Sequence, residues 1–371
     1  MKTFGVQDFF IVFDISLFVT GYARAAIYDL QRSILQYIDK EIYFFCKRHN
    51  KKKILDIISE YHNKEDVIQL IEFLVKNEYA FIGSESDATH IKPIKHIWKE
   101  PCLISNSVVE FSSYINDNLF VIKGLVDKYL IQAIEFVSYT DIIELMDIEC
   151  VLQTFANCTA LHEISFCVKY DSALCKENLI PVLRQRPLSN QFVIHSAPFT
   201  EYIQDVKLLY VQQKIESFTE CGRVDLAYLY LNKRFFMEAR EYNSCLNRKL
   251  CIIDSKGFIK NCLAMSETLG HISDDMLNFP WDKLEKFWHI KKDLIEVCKD
   301  CEYRYACQDC RCFVKSPENV FSQPSKCLYN PYIAKWEGEC GYVPIEECGI
   351  FDNQGRFVPD VRKIRSWQEH F

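Results

Sequence analysis

The sequence predicts an α/β fold in three successive parts, and three observations carry that prediction. Strand-like segments recur every 26 to 30 residues between about 103 and 236, with helical sequence between them. A mixed region of strands and helices precedes this repeat, and a cysteine-rich region follows it. Regularly alternating strands and helices are typical of βα units, whose strands run parallel. The middle part should therefore form a parallel sheet, flanked by two separate units.

Residues 1–95 predict a winged-helix-like unit. The apolar start, Phe9–Val19, contains Asp14 and lacks a basic leading segment, which favours the first strands of a domain over a signal peptide. Apolar residues follow a helical period over Val67–Val75. The other expected elements are strands at Ala25–Leu30 and Ile34–Ile38, helices from Glu41 and over Ile54–Tyr61, and a wing strand at Tyr79–Gly83. Pro93 and Pro101 then mark the exit from this unit.

Residues 103–236 predict a partial βα barrel or a small open sheet. The expected strands are Ser107–Phe111, Ala133–Val137, Glu163–Cys167 and Gln191–Ser196, with a fifth at Val206–Val211. The expected helices are Asn118–Tyr129, Asp141–Phe155 and Ala173–Leu183. Residues 237–336 form the cysteine-rich part and include an amphipathic helix over Trp281–Ile295. Residues 337–371 form a tail with Cys340 and Cys348, and no role is assigned to it.

Composition and missing motifs exclude some classes of function. A formal net charge of −7 argues against general nucleic-acid binding, which needs a basic surface. No stretch of about 18 uncharged apolar residues occurs, so no membrane span is expected. Neither a G-x-G-x-x-G loop nor a Walker motif is present, so we expect no ATP binding by this chain. These features together favour a cytoplasmic protein.

Nine of the eighteen cysteines lie between residues 245 and 327. In a large chain without an export signal, clustered cysteines indicate metal ligation rather than disulfides. The array is Cys245-x5-Cys251-x5-Gly257-x4-Cys262, then Cys298-x2-Cys301-x5-Cys307-x2-Cys310-x-Cys312, then Cys327. Zinc would take closed sites of four thiolates, and iron–sulfur clusters also take four thiolates each. Spacing alone does not separate the two.

This array resembles the SPASM domain, whose pattern is C-x9–15-G-x4-C, then C-x2-C-x5-C-x3-C, then a distal cysteine. The sequence departs from the pattern once, because a three-residue spacer after Cys307 lands on Arg311, with Cys310 and Cys312 on either side. SPASM domains carry two auxiliary [4Fe–4S] clusters. The resemblance implies that Cys245, Cys251, Cys262 and Cys310 hold one cluster and that Cys298, Cys301, Cys307 and Cys327 hold the other. Cys312 stays open as an alternative to Cys310.

Most SPASM proteins are radical S-adenosylmethionine enzymes, which need a C-x3-C-x2-C motif after the first strand of the barrel. No cysteine occurs between Cys102 and Cys150, so cleavage of S-adenosylmethionine by this chain is not expected. A narrower resemblance covers the runs Arg24–Arg32, Ser244–Met265, Cys298–Arg311 and Phe321–Trp336. It is to the SPASM-domain peptide maturases of grasp-with-spasm systems, which lack the radical motif.

The narrower resemblance implies maturation of a ribosomally synthesised peptide, with a precursor leader peptide and an ATP-grasp peptide ligase as partners. The leader is expected to add a strand at an edge formed by Ala25–Leu30 or its neighbour, with Arg24 and Arg32 at the rim. No catalytic residue is assigned, and His195 is expected to be a satisfied core histidine. The alternative is a non-enzymatic sensor or scaffold, in which a winged helix is coupled to a metal cluster or zinc.

Overall fold

The structure is a computed structural model that describes residues 4–95, 97–100, 102–184, 189–253, 256–274 and 279–369. Within these ranges it does not describe the side chains of 189–190, 251–253 and 369. It shows a mixed α/β protein whose largest element is a nine-stranded sheet. The α/β class predicted from the sequence is therefore confirmed.

Residues 4–95 fold into two small sheets and the helices that cover them. The strands are β1 (Phe9–Val12), β2 (Ser16–Thr20), β3 (Ala25–Asp29), β4 (Ile34–Ile38), β5 (Lys52–Lys53) and β6 (Ala80–Gly83). The helices are α1 (Lys40–His49), α2 (Ile54–Ser59), α3 (Lys64–Lys76) and α4 (Glu85–His90). In α3, the Asn63 side chain caps the first turn, and Val67, Ile71 and Leu74 bury one face. The predicted elements are confirmed, whereas the winged-helix identity stays a prediction.

The strand expected to offer a free edge lies in the middle of its sheet. β3 pairs antiparallel with both β2 and β4. All five of its residues are buried, because this largely apolar strand has neighbours on both sides. The expectation that Ala25–Leu30 forms an edge is therefore wrong, and the edges of this sheet are β2 and β4.

The middle of the chain forms a parallel βα sheet. Its strands are β7 (Asn106–Glu110), β8 (Ala133–Val137), β9 (Glu163–Lys169), β10 (Ser189–His195), β11 (Glu201–Ile203) and β12 (Leu208–Tyr210). The helices are α5 (Ser113–Asp117), α6 (Leu119–Tyr129), α7 (Leu145–Thr154) and α8 (Lys176–Arg184). The predicted βα repeat is confirmed, with boundaries that shift by a few residues.

The sheet continues into the cysteine-rich region. The C-terminal strands are β13 (Lys249–Ile253), β14 (Phe258–Lys260), β15 (Gly270–His271), β16 (Tyr329–Asn330), β17 (Lys335–Trp336), β18 (Gly349–Phe351) and β19 (Phe357–Pro359). The helices are α9 (Lys233–Glu241), α10 (Trp281–Trp288) and α11 (Val361–Glu369). The order of the large sheet is β11-β12-β10-β9-β8-β7-β13-β14-β15, and the strands from β12 to β13 in this order run parallel. Strands on both sides of residue 236 therefore share one sheet.

One face of the large sheet packs against helices. Phe136, Phe166 and Phe192 lie in register on neighbouring strands. Their rings stack with centroids 5.5 Å and 4.4 Å apart, as expected for cross-strand aromatic pairs. Helices α5 to α8 and α10 cover this face with apolar side chains. The opposite face carries Val108, Glu135 and Cys167 and turns towards the cysteine-rich region.

The helix predicted over Trp281–Ile295 is shorter than expected. It ends at Trp288, and residues Lys292–Leu294 form a single tight turn. Ile290 and Ile295 are both buried without extending the helix, so apolar spacing alone overstated its length. The tail after 337 packs β18, β19 and α11 onto Val297 and Tyr332, although its function stays unassigned. None of the helices among the described residues combines the length and apolar character that crossing a bilayer requires.

A buried ion pair joins the N-terminal unit to the cysteine-rich region. Arg24 Nε donates to Glu302 Oε1 at 2.6 Å, and the Glu302 side chain is 0% exposed. Tyr329 donates to the same oxygen at 2.6 Å, and the Tyr28 hydroxyl donates to the Glu302 carbonyl at 2.6 Å. Gly21 allows this close approach, because a Cβ there would lie 2.8 Å from Glu302 Oε2.

The two arginines expected at the rim of the leader site have partners within the chain. Arg24 pairs with the buried Glu302, which fixes the position of the N-terminal unit on the rest of the chain. Arg32 pairs with Asp29 and Glu78, and its side chain is 44% exposed. Contacts of these arginines with an acidic leader peptide stay a prediction.

Replacing Arg24 by Ala should lower the free energy of unfolding by about 3 kcal/mol, because it strands a buried carboxylate without its cation. Urea unfolding under nitrogen, followed by circular dichroism, measures this change. Arg48→Ala is the matched control, since Arg48 pairs with Glu60 at the surface and should lose less than about 1 kcal/mol. Equal losses in the two variants would contradict the structural role of the Arg24 pair.

Candidate metal centres

Four cysteines from distant parts of the array line one cavity. This inner cavity is bounded by Cys298, Cys301, Cys307 and Cys327. The remaining wall is formed by Val224, Lys292, Val297, Tyr303, Arg304, Gln323, Tyr329, Pro331 and Trp336. Most of these wall residues are buried. The structure thus brings together the complete ligand set that the resemblance assigned to one cluster.

Tight turns and short bridges place these four thiols. The Cys301 amide donates to the Cys298 carbonyl at 3.1 Å, and the Cys307 amide donates to the Tyr303 carbonyl at 3.1 Å. Residues 224–229 lie beside Cys307 and Cys327. Val224 forms a β-bridge with Cys327, and Leu229 forms one with Cys307. Backbone contacts therefore hold the segments around 224–229, 298–307 and 327 beside one cavity.

Polar groups around the inner cavity suit bound thiolates. The Tyr303 amide donates to Cys301 Sγ at 3.4 Å, and the buried Gln323 side chain hydrogen-bonds to Cys327. Lys292 is 2% exposed, and its ammonium donates to the Cys307 carbonyl and, at 3.1 Å, to Ser244 Oγ. Hydrogen bonds to sulfur and a nearby positive charge both stabilise negatively charged sulfur.

Burial sets the protonation of the four thiols. It raises the pKa of Cys298 and Cys301 well above the ordinary value and that of Cys307 to about 12, because a thiolate loses its hydration. Burial raises the pKa of Cys327 in the same way. Without a cation these groups stay protonated. A metal ion or cluster would release the protons and take their place.

A second group of cysteines lines a larger cavity between the sheet and the cysteine-rich region. This sheet cavity has a volume of about 420 Å³. Its cysteine wall consists of Cys221, Cys245, Cys262, Cys310 and Cys312. The cavity is also lined by Val108, Glu135, Val137, Tyr139 and Cys167 from the sheet and its loops, and by Lys249.

A buried polar network positions Cys245 beside Cys310. Asn243 accepts the backbone amides of Cys245 and Leu246 at 3.0 and 2.9 Å, and its own amide donates to Asp309 at 2.7 Å. Asp309 pairs with Arg311 at 2.5 Å, with side-chain exposures of 0% and 2%. Arg311, the residue at which the sequence departs from the expected spacing, is therefore held in a buried ion pair.

Three thiols at the sheet cavity interact directly. The Cys312 sulfur lies within hydrogen-bonding distance of both Cys262 and Cys310, and it can donate its single proton to either one. This contact lowers the pKa of Cys262 and of Cys310. It raises the pKa of Cys312, because the donated proton is held by the neighbouring sulfurs. The Phe313 amide also donates to Cys310 Sγ at 3.4 Å. Cys310 and Cys312 therefore both face the cavity, in different electrostatic roles.

Cys251 was predicted as a ligand at this cavity, whereas Cys221 was not. The backbone of Cys251 lies in β13, opposite Val108, but its side chain is outside the described residues. Cys221 was missed by sequence reasoning, because it is a single cysteine 24 residues before Cys245 and belongs to no spaced motif. Only its position in the fold reveals it.

Other candidates have structural roles or stay unassigned. His195 is buried, and its ring nitrogens contact the Ser138 carbonyl at 2.8 Å and Ser196 Oγ at 3.1 Å. Burial lowers its pKa, so the expectation of a satisfied core histidine is confirmed. Cys348 is buried and Cys340 is exposed, and neither lines the two cavities described above.

The donors at both cavities are thiols, which both a zinc ion and a [4Fe–4S] cluster take. Across the part of the chain that the structure describes, no three His, Cys, Asp or Glu side chains form a group that could hold one metal ion. A [4Fe–4S] cluster uses a separate iron for each of four thiolates, and at least four cysteines line each cavity. The type and number of the donors therefore fit either kind of metal group.

Comparison with known proteins gives little further information. No protein-family model matches the chain, and no curated protein matches it. Among solved structures, Streptococcus suis SuiB bound to S-adenosylmethionine aligns with 86% of this chain and 99% of its own, at 11% identity and a TM-score of 0.29. A second SuiB structure covers 85% and 99%, also at 11% identity, with a TM-score of 0.26. Similarity at this level carries no argument about fold or function.

In metal-free protein, alkylation of Cys262 and Cys310 by iodoacetamide should begin at a lower pH than alkylation of Cys301. Only the thiolate reacts, and the contact with Cys312 lowers the pKa of Cys262 and Cys310. The rate at Cys301, whose pKa is raised by burial, should still be increasing at pH 9. Peptide mass spectrometry at each pH gives these rates, with circular dichroism to confirm folding.

The matched control is Cys312→Ala. It removes the hydrogen bond that lowers both pKa values and should move the two alkylation profiles to higher pH. If the alkylation rates of Cys262 and Cys310 in the unsubstituted protein rose with a midpoint at about pH 8.5, as for ordinary thiols, this would contradict the described interaction.

Proposed function

We propose that this chain is a maturation protein for a ribosomally synthesised peptide, of the grasp-with-spasm type. It would bind the precursor leader through residues 1–95, hold two [4Fe–4S] clusters and act with a separate ATP-grasp ligase. The observation that carries the proposal is the convergence of Cys298, Cys301, Cys307 and Cys327 on the inner cavity. This set was assigned from the sequence resemblance, and its members lie up to 29 residues apart.

The residues around the inner cavity would hold the cluster and adjust its charge. Cys298, Cys301, Cys307 and Cys327 would provide its thiolates, and Lys292 would offset part of their negative charge. The amide of Tyr303 would donate to a ligand sulfur. Such clusters supply one-electron transfer, and hydrogen bonds and burial adjust their potentials.

Cleavage of S-adenosylmethionine by this chain is not part of the proposal. The connection from β7 to α5 consists of Phe111 and Ser112, and the Ser112 side chain caps α5 by accepting the Ile115 amide at 3.3 Å. A C-x3-C-x2-C motif needs a longer loop with three cysteines. The chemical step on the peptide is therefore assigned to the complex with its partner.

For the leader peptide we propose β4 as the docking edge. The last carbonyl of the other edge strand, at Thr20 in β2, already accepts a hydrogen bond from Arg304 at 2.5 Å. Ile34 and Tyr37 in β4 are 48% and 38% exposed. An extended peptide can pair with such an edge and place alternate side chains against it.

The β4 edge also lies next to the inner cavity. The Tyr37 hydroxyl is 2.5 Å from the Tyr303 hydroxyl, and Tyr303 is part of the cavity wall. Arg24 lies over the Tyr37 ring at 3.7 Å and also donates to Tyr303 at 3.1 Å. A leader bound at β4 would therefore direct the rest of the precursor towards the cysteine-rich region.

Protein purified without oxygen should be brown and contain about eight irons per chain, as two cubane clusters. Cys301→Ala and Cys327→Ala should each lose the inner cluster, and Cys262→Ala should lose the other, leaving about four irons in each case. Iron analysis and Mössbauer spectroscopy measure these numbers. Stoichiometric zinc without iron, even after anaerobic reconstitution, would reject the clusters and favour a zinc scaffold.

Cys150→Ala is the control for the cluster variants, because Cys150 is exposed on α7 and lines neither cavity. It should keep the full iron content. If each single ligand variant lost both clusters, the two sites would fold only together.

The proposal expects a small precursor gene beside this gene, and the labelled leader peptide that it encodes should bind the full-length protein through β4. Amide directions alternate along a strand, so of Leu35→Pro and Gln36→Pro, one removes a bond to β3 and the other removes an outward donor. The outward variant should stay folded and lose leader binding by about tenfold or more. Fluorescence anisotropy measures affinity, and circular dichroism identifies the folded variant. Unchanged binding by that variant would place the leader site elsewhere.

A further inference from the structure

We infer that Cys221 is a ligand of the cluster at the sheet cavity, together with Cys245, Cys262 and Cys310. It would take the position that the sequence resemblance gave to Cys251. This inference rests on the proposed function, since it presumes a cluster at that cavity, and it deepens it by naming a ligand outside the spaced array.

The first support is the position of Cys221 in the cavity wall. It lines the sheet cavity with the other three thiols and with Lys249. The next residue, Gly222, has φ +87°, and a Cβ at that position would lie 3.1 Å from Cys310 Sγ. The backbone beside Cys221 therefore passes directly over the sulfur of Cys310, and only glycine leaves that sulfur uncovered.

The second support is that this position is fixed from both sides. The Cys221 amide donates to the Phe218 carbonyl at 3.1 Å, and its carbonyl accepts the Lys326 ammonium at 2.9 Å. Three residues further on, Val224 bonds to Lys326 and Leu328 through its backbone, at 3.2 Å each. The segment carrying Cys221 is thus attached to the segment that carries Cys327, which lines the inner cavity.

The third support is that the described thiols divide into ligands and a hydrogen-bond donor. The sheet cavity has six of them: Cys167 belongs to β9, and the other five belong to the cysteine wall. A [4Fe–4S] cluster takes four thiolates. Cys312 lies within hydrogen-bonding distance of Cys262 and Cys310, which suits a donor to a ligand sulfur. Cys310 accepts the Phe313 amide at 3.4 Å, in the way that Cys301 accepts the Tyr303 amide at the inner cavity. With Cys312 as a donor, Cys221 completes a set of four on the cysteine wall.

Iron content gives the first test. Anaerobically reconstituted Cys221→Ala should hold about four irons instead of about eight, or show the spectrum of a three-iron cluster at one site. Cys251→Ala and the control Cys150→Ala should keep about eight. A folded Cys221→Ala variant with eight irons and unchanged Mössbauer and electron paramagnetic resonance spectra would overturn the inference. Absence of iron from the unsubstituted protein would instead reject the proposed function.

Thiol footprinting gives a second test, which does not depend on any variant folding. Cys221 and Cys150 are both exposed, so iodoacetamide can reach both in metal-free protein. Cys221 should react more than about tenfold slower in iron-loaded protein than after a chelator has removed the iron, whereas the rate at Cys150 should stay the same. Equal rates at Cys221 before and after iron removal, in protein that held eight irons, would overturn the inference.

Discussion

The buried carboxylate of Glu302 is the contact on which the arrangement of the whole molecule depends. In sequence it lies between Cys301 and Tyr303, which both line the inner cavity, and it pairs with Arg24 from the N-terminal unit. A buried carboxylate is costly unless it is paired, so the two regions cannot separate without exposing or stranding it. The aromatic residues around it, Tyr303, Tyr329 and Trp336, pack with ring centroids 4.8 to 5.3 Å apart. One ion pair therefore sets both the docking of the N-terminal unit and the shape of one cavity wall.

The two cavities are neighbours rather than separate sites. Val224 lines both of them, and the segment around it bonds to the segment that carries Cys327. Lys292 stands beside the inner group of thiols and Lys249 beside the other, so each group of potential negative charges has its own buried or half-buried cation. This pairing reduces the repulsion that two groups of thiolates would exert on one another.

The spacing of residues along the sequence predicted the strands of the βα repeat and the turn between Cys298 and Cys301. The βα strands followed from runs of apolar residues such as Ile164, Phe166 and Val168, which bury one side of β9, and the turns of Cys298 and Cys301 followed from their separation in sequence. The position of β3 within its sheet was not predictable in this way, because an apolar strand has the same sequence pattern at the edge of a sheet and at its centre. Cys221 was missed for a related reason, since a single cysteine gains meaning only from the chain that folds over it.

The difference in wall construction between the cavities bears on how the protein tolerates air. The inner cavity is enclosed mainly by buried aromatic and aliphatic side chains, whereas the sheet cavity is wide and has the exposed Cys221 on its rim. If each holds a cluster, dioxygen will reach the one at the sheet cavity first, since the surrounding apolar shell controls solvent access to a metal site. Brief handling in air would then leave a partly loaded population with its iron at the inner cavity. The iron content of a preparation that was handled in air would then measure how much iron the air had removed, and not how many cluster sites the chain has.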